Sequence, residues 1–213
     1  MFNRDQIIGG ASSFLRRAAG PLLLVLTFLL LSALTWRKWP DLLVDFGREL
    51  YIPWQLAQGQ VLYRDLAHHY GPLSSYLNAA LFRVFGVSCT VLFFSNLAAL
   101  GGMIALLYGL LAAACDRLTA TAAGMVFLLI FGFAQHAVPG SMNFISPYSH
   151  EATQGLGCSL LLLYALSRFG RTRRRVWAGL AGFCLGLVWL TKPELFLAAT
   201  GAAFSWWLLQ WRK

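Results

Sequence analysis

Two carboxylates, Asp45 and Glu49, stand four residues apart with Arg48 between them in an otherwise apolar chain. Positions four apart share one face of a helix. One carboxylate could then act as a general base while the other binds or orients a substrate. The alternative is an interfacial helix whose acids face water, with Arg48 as their local partner. Ionisable groups beside lipid are costly to keep, so a cluster at a membrane rim is a functional-site hypothesis.

Further candidates occur later in the chain. His150 and Glu151 open an apolar run, where a helix dipole favours a carboxylate, so they are either a capping pair or part of the same site. Lys192 precedes Pro193 and either extends its ammonium to the membrane surface or meets a phosphate as a point charge. Arg64 is a further cation for the same purpose. Carboxylates beside cations suit the transfer of a group from a phosphate to a hydroxyl, because the hydroxyl needs a base and the phosphate needs positive charge.

The residues indicate no cofactor. His68 and His69 are adjacent rather than at ligand spacing, which favours interfacial polar residues, with a metal role as the alternative. The four cysteines show no metal spacing and are interpreted as packing residues. A divalent metal is therefore not indicated.

Composition predicts a membrane protein. The 213 residues are 58% hydrophobic and only 12% charged, whereas an ordinary globular domain is about a quarter charged. The net charge of +9 would suit nucleic acid, but the bases fall mostly in short loops between apolar runs, as in membrane proteins. We therefore expect an all-α, polytopic membrane protein forming one module over residues 1–213, with membrane lipids and not nucleic acid around it.

Six apolar runs are candidate spans, and aromatic or basic ends can anchor the short ones. They are 21–36, 91–114, 118–134, 154–169, 177–191 and 195–211. With a cytoplasmic N-terminus, eleven of the seventeen bases lie inside and six of the eight acids lie outside. The bases support this orientation, and the acids mark the outer face as the one equipped for chemistry.

Two outer loops follow from this topology, 37–90 and 135–153. The first is too apolar and aromatic for disorder. Leu50, Trp54, Leu56 and Ala57 predict one interfacial helix, Gly71-Pro72 predicts a break, and 73–85 has the apolar spacing of a second interfacial helix.

These motifs resemble a known family. Residues 45–66 and 70–88 are similar to the first extracytoplasmic loop of GT-C glycosyltransferases, and more narrowly of bacterial family 39 members related to protein O-mannosyltransferases and lipid A aminoarabinose transferases. Those relatives carry an acidic motif about fourteen residues before a glycine, and Asp45 has that spacing to Gly59. Glu151 takes the place of a second acid opening the fourth span. The segment 186–192 fits the relatives' string ending in Leu-Thr-Lys.

The resemblance implies transfer, with inversion, of a sugar from a polyprenyl-phosphate donor to a hydroxyl on a glycan, lipid or protein at the outer face of the bacterial inner membrane. Asp45 would be the general base and Glu151 would orient a substrate. Lys192, with Arg64, would stabilise the departing phosphate. Glu49 and His150 are further substrate-binding candidates, with Glu49 alternatively only the partner of Arg48.

The chain departs from its relatives in three respects. Phe46 stands where many have a second acid, and Tyr70 stands where some have a phosphate-binding lysine. The relatives also continue with further spans, so we expect this chain to be the N-terminal part of such a protein. The alternatives are a transporter or lipid-handling protein without transferase chemistry, and an inactive fragment. Span midplanes that are nearly free of charge, and the lack of a visible internal repeat, disfavour the transporter.

Overall fold

The computed structural model describes residues 4–38, 46–136 and 142–211, with side chains from residue 18 to residue 210. Over these residues the chain is all-helical, without a β-strand. The helices are α1 (Arg4–Leu34), α2 (Gly47–Ala57), α3 (Leu73–Phe85), α4 (Cys89–Ala114), α5 (Arg117–Val126), α6 (His150–Thr172), α7 (Arg175–Trp189) and α8 (Pro193–Trp211). A π-helical segment, Phe127–Gly132, continues α5, and a short 3₁₀ turn, Ala134–His136, follows it. Helices therefore occupy the predicted spans and both predicted interfacial segments.

Local sequence explains several helix boundaries. Three helices begin after a short polar side chain that accepts a hydrogen bond from the first turn, and proline occupies the first position of α8, where no N–H is needed. These N-caps are Ser88 before α4, Asp116 before α5 and Ser149 before α6. Gly86 ends α3 with a φ of +85°, a conformation that favours glycine. These helix ends therefore follow from residues next to them in the sequence.

Helix α6 lies at the centre of the fold and packs against α3, α4, α7 and α8. Two hydrophobic cores flank it. The first joins α1, α4 and the α5 region through Leu24, Leu100, Met103 and Leu128. The second joins α6, α7 and α8 through Leu162, Ala181, Val188 and Ala199.

The helices α2 and α3 pack together as a hairpin beside this bundle. Arg83 of α3 explains part of the pairing, since its guanidinium donates to the carbonyl of Leu56 at 2.9 Å and of Ala57 at 3.3 Å. These carbonyls end α2, where a helix dipole favours positive charge. Arg83, the one cation in the apolar pattern of α3, therefore joins α3 to the C-terminus of α2.

A close backbone approach joins the start of α3 to the end of α7. The Gly71 N–H donates to the Thr191 carbonyl at 2.7 Å, and the Leu73 N–H donates to the Leu190 carbonyl at 3.0 Å. A Cβ at Gly71 would lie 2.2 Å from the Leu190 oxygen. Only glycine allows this contact, which places Tyr70 beside Lys192.

One helix of the described residues, Cys89–Ala114, is long and apolar enough to cross a membrane by length and composition, and shorter apolar helices cover Ala18–Leu34, Arg117–Gly132 and Arg175–Trp189. The all-α prediction is confirmed. The six-span topology stays a prediction.

Candidate functional site

Polar side chains from four separate segments meet at one end of the bundle. The segments are the start of α2, the stretch before α3, the start of α6 and the turn between α7 and α8. They belong to the loops predicted to share the outer face. Asp45, the predicted general base, lies outside the described residues. Its chain neighbour Phe46 is buried, with its ring centroid 6.2 Å from that of His150.

Glu49 is buried with 5% of its surface exposed and accepts hydrogen bonds from two residues. Its Oε1 accepts from Nη2 of Arg48 at 2.8 Å. Its Oε2 accepts from the backbone N–H of His150 at 3.0 Å and lies 2.6 Å from Nδ1 of the same residue. The carboxylate therefore sits at the N-terminus of α6, where unpaired N–H groups and the dipole favour an anion. Glu49 is both the partner of Arg48 and the anchor of α6.

Two neighbours indicate the donor and acceptor roles of the two nitrogens in the His150 ring. A carboxylate can only accept, so Nδ1 carries the proton that faces Glu49. Asn96 donates from Nδ2 to the Ile145 carbonyl at 2.9 Å, which sets the orientation of its amide. The same Nδ2 lies 3.0 Å from His150 Nε2, so Nε2 accepts. His150 is also fully buried. Its substrate-binding role stays a prediction, and the geometry favours a positioning role.

Glu151 is 1% exposed. Its Oε2 accepts from the Ser149 hydroxyl at 2.8 Å, and its Oε1 lies 3.3 Å from His68 Nε2, within ion-pair distance but not aligned as a hydrogen bond. Burial would raise the pKa of the carboxyl, but the His68 ring, the amide of Glu151 itself and the Ser149 hydroxyl hold that pKa below its ordinary value. Glu151 is therefore an ionised carboxylate enclosed by polar groups.

Lys192 is 8% exposed and faces aromatic rings. Its Nζ lies 4.1 Å from the centroid of the Tyr70 ring and 5.0 Å from that of Tyr148. No carboxylate of the described residues lies within ion-pair distance of this ammonium. A cation removed from water is costly unless it is paired, and two ring faces offset that cost only in part.

Arg48 links these groups. Its guanidinium also lies over the Tyr70 ring at 5.4 Å, and Nη2 donates to the Tyr148 carbonyl at 3.0 Å. Partial burial would lower the pKa of Arg48, but the hydrogen bond to Glu49 and the charges of Glu49 and Glu151 raise it. Two cations thus share one tyrosine ring beside two carboxylates.

Arg64 lies apart from this cluster. Its side chain is 71% exposed and pairs with the neighbouring Asp65 at 2.9 Å. The Arg64 guanidinium holds the pKa of the Asp65 carboxyl below its ordinary value, and that carboxylate also accepts from the Val61 N–H at 2.8 Å. The structure brings Glu49, His150, Glu151 and Lys192 together but leaves Arg64 at the surface.

Sequence reasoning missed four members of the cluster. His68 was interpreted as an interfacial polar residue, yet its side chain is 1% exposed and faces Glu151. Asn96 could have been found as an amide inside an apolar span, where polar side chains have a specific partner. Tyr70 and Tyr148 gave no such signal, because tyrosine at a membrane boundary is common.

The His68 ring that faces Glu151 makes no aligned hydrogen bond at either nitrogen. The buried hydroxyls of Ser74, near the start of α3, and Thr153, in the first turn of α6, also have no hydrogen-bond partner among the described residues. Within the same residues no group of three or more His, Cys, Asp or Glu side chains could hold a metal ion.

Comparisons with protein-family models, with curated proteins and with solved structures give no match to this chain. The case for a function rests on the geometry of the cluster and on the resemblance of the motifs.

Proposed function

We propose that this protein is a polytopic membrane glycosyltransferase of GT-C type that moves a sugar from a polyprenyl-phosphate donor to a hydroxyl acceptor on the outer face of the inner membrane. The observation that carries the proposal is the buried ammonium of Lys192, which faces the Tyr70 and Tyr148 rings and has no carboxylate of the described residues within ion-pair distance. Such an ammonium is suited to an anion brought by a substrate, and a phosphate is the anion that a lysine point charge binds readily.

A membrane location is supported by the surface of the helices. Large apolar side chains are exposed along α1, α5 and its π-helical extension, and α8, including Leu26, Leu30, Ile130, Leu197 and Leu209. Exposed apolar surface of this extent is unusual for a soluble monomer. The contacts among the loops 46–73, 142–151 and 190–193 are consistent with six alternating spans and a cytoplasmic N-terminus.

The proposed reaction is a single displacement with inversion. A carboxylate removes the proton from the acceptor hydroxyl, whose oxygen forms a bond to the anomeric carbon. The bond from that carbon to the phosphate oxygen breaks, and its electron pair leaves with the polyprenyl phosphate. Asp45 is the proposed base, on the family resemblance. Lys192, with Arg48 across the Tyr70 ring, would stabilise the added negative charge on the phosphate.

The enclosed groups have separate proposed roles. Glu151 would orient the acceptor or the donor, since the His68 ring that faces it makes no aligned hydrogen bond and is suited to a polar ligand. Glu49 and His150 would position α6 and Arg48 rather than react. This division follows from hydrogen bonding, because both Glu49 oxygens already accept hydrogen bonds from Arg48 and His150.

The test is transfer from a radiolabelled polyprenyl-phosphate sugar by the full chain in proteoliposomes. Lys192→Ala should lower transfer and donor affinity by at least tenfold, whereas Lys192→Arg should restore part of the donor affinity. Lys38→Ala is the matched control, because Lys38 is an exposed lysine on the same expected face.

Asp45→Asn should abolish transfer while membrane insertion stays intact. Retained transfer in this variant would eliminate Asp45 as the base. Donor affinity equal to wild type in Lys192→Ala would remove Lys192 from the site. Wild-type protein that binds polyprenyl phosphate without transfer would favour the alternative of a lipid-handling protein.

A further inference from the structure

Five arginines stand within eight residues where α6 ends and α7 begins: Arg168, Arg171, Arg173, Arg174 and Arg175. The last four are exposed. The sequence has no acid between Glu151 and Glu194, and no carboxylate of the described residues lies within ion-pair distance of any of the five. This arginine cluster is therefore a strongly positive surface without a negative partner in the described parts of the chain.

The arginine cluster lies at the end of the bundle opposite Lys192. Helix α6 begins at His150, in the polar site, and its 23 residues span about 34 Å. The hydrocarbon core of a bilayer is about 30 Å thick, so α6 has the length to place the arginine cluster at the second membrane surface. Trp206 of α8 lies at this level, with its ring centroid 6.1 Å from that of Phe169, and tryptophan is enriched at such boundaries.

Arg168 differs from the other four because it lies within α6 rather than at its end. Its guanidinium carbon is 5.5 Å from the centroid of the Trp177 ring, and Tyr164, one turn earlier, contacts the same ring with 6.0 Å between centroids. Its Nε is buried and has no hydrogen-bond partner among the described residues. A charged side chain inside a membrane helix is costly to keep and indicates a functional site.

The backbone beside these arginines also favours an anion. Arg173 ends α6 with a φ of +55°, a left-handed conformation that glycine usually supplies. Helix α7 then begins after Arg174 without a side-chain cap. Its first N–H groups and the positive end of its dipole therefore lie beside the arginines, and both attract negative charge.

We propose that the arginine cluster binds an anionic phospholipid of the cytoplasmic leaflet, with the lipid phosphate held by Arg168 and the loop arginines. Four residues of helix span about 6 Å, so Arg168 lies about one headgroup depth inside the end of α6. A lipid phosphate is suited to that depth better than a soluble polyanion. Each basic residue near an anionic surface adds about fivefold in affinity, the equivalent of about 1 kcal/mol. The inference rests on the proposed membrane location and not on transferase activity.

Native mass spectrometry of the full chain in detergent, titrated with phosphatidylglycerol or phosphatidylcholine, tests the proposal. Wild type should bind phosphatidylglycerol at least fivefold more tightly. Arg168→Gln should lower the affinity for phosphatidylglycerol about fivefold and leave that for phosphatidylcholine unchanged, and Arg168→Lys should restore part of the loss. Arg117→Gln is the matched control, because Arg117 is a single exposed arginine at the start of α5, on the same predicted face. It should keep the wild-type affinity.

A second variant replaces Arg171, Arg173, Arg174 and Arg175 together with glutamine. Because these side chains are exposed, the variant keeps the test decisive should Arg168→Gln not fold, and it should lose most of the preference for phosphatidylglycerol. Inorganic phosphate in large excess should not displace the bound lipid. Carbonate extraction of membranes, run in parallel, reports the membrane location separately from lipid binding.

Three results would overturn the proposal. The first is equal affinity of wild type for the two lipids. The second is a preference for phosphatidylglycerol that survives in the fourfold variant, or an equal loss in Arg117→Gln and Arg168→Gln. The third is displacement of phosphatidylglycerol by inorganic phosphate, which would show a site for a soluble anion instead.

Discussion

Replacing Glu49 removes a carboxylate to which both Arg48 and His150 donate hydrogen bonds. In Glu49→Leu the Nδ1–H and the backbone N–H of His150 lose their acceptor inside a fully buried site. Each unsatisfied buried donor costs about 1–3 kcal/mol. Because Arg48 is 32% exposed and recovers water, its lost ion pair adds about 1 kcal/mol or less. We expect Glu49→Leu to destabilise the protein by about 4 kcal/mol.

A series of variants separates the contributions. Glu49→Gln keeps an acceptor for His150 but loses the charge that strengthens its hydrogen bonds, so it should cost about 2 kcal/mol. Arg48→Gln leaves Oε1 of the buried Glu49 without its charged partner but keeps both donors of His150 on Glu49, so it should cost about 2 kcal/mol, less than Glu49→Leu. Glu194→Gln is the control, because Glu194 is an exposed acid in the first turn of another helix.

Thermal unfolding in detergent, followed by the fluorescence of the eight tryptophans, measures the series. For a chain of this size, 1 kcal/mol shifts Tm by about 2–4 °C, so Glu49→Leu should lower Tm by about 8–16 °C and Glu49→Gln by about half of that. A Tm for Glu49→Leu within about 2 °C of wild type would refute the role of Glu49 as anchor of α6. An equal loss in Arg48→Gln would show that the ion pair dominates instead.

Two further predictions use stability as the readout. Gly71→Val should cost at least about 2 kcal/mol, because its Cβ would lie 2.2 Å from the Leu190 oxygen. Gly102→Val is the control, because nothing lies within 4 Å of a Cβ there. Equal Tm values for the two variants would disprove the close approach. The lowered pKa of Glu151 stabilises the fold above the ordinary carboxyl pKa of about 4.3 and loses that contribution as pH falls through the folded value. Glu151→Gln should therefore flatten the decline of Tm below about pH 4.3, and an unchanged acid slope would exclude Glu151 and its neighbour His68 as the cause.

The helices could be predicted from the sequence because the patterns that indicate them are local. Apolar runs and the break at Gly71-Pro72 act within a few residues, so α3 was predicted with its observed ends, Leu73–Phe85. The sequence also predicted that the loops 37–90 and 135–153 share one face, from the distribution of basic and acidic residues. The predicted acids Glu49 and Glu151 do lie at one end of the bundle, through segments far apart in sequence.

The hydrogen-bond partners within the cluster could not be predicted in the same way. The pairing of Glu49 with His150 spans 101 positions, and that of Asn96 with His150 spans 54. No local pattern encodes such contacts, since they depend on how α2, α4 and α6 pack. Arg64 is the opposite case, because its partner is the adjacent residue: its guanidinium donates to the Asp65 carboxylate and to no distant group of the cluster.

The sequence by itself determined the all-α class and the approximate positions of the helices, because propensity and hydrophobic runs are properties of short segments. It also predicted that Glu49, His150, Glu151 and Lys192 share one face, but not their partners. Only the tertiary structure decided which of those residues are engaged. Helix α4 packs against α6, and the start of α2 meets the α6 N-terminus. Together they enclose His150 and hold Glu49 at the α6 N-terminus. The approach at Gly71 leaves Lys192 facing two tyrosine rings, away from any described carboxylate, since side-chain burial and pairing depend on helices that meet from distant parts of the chain.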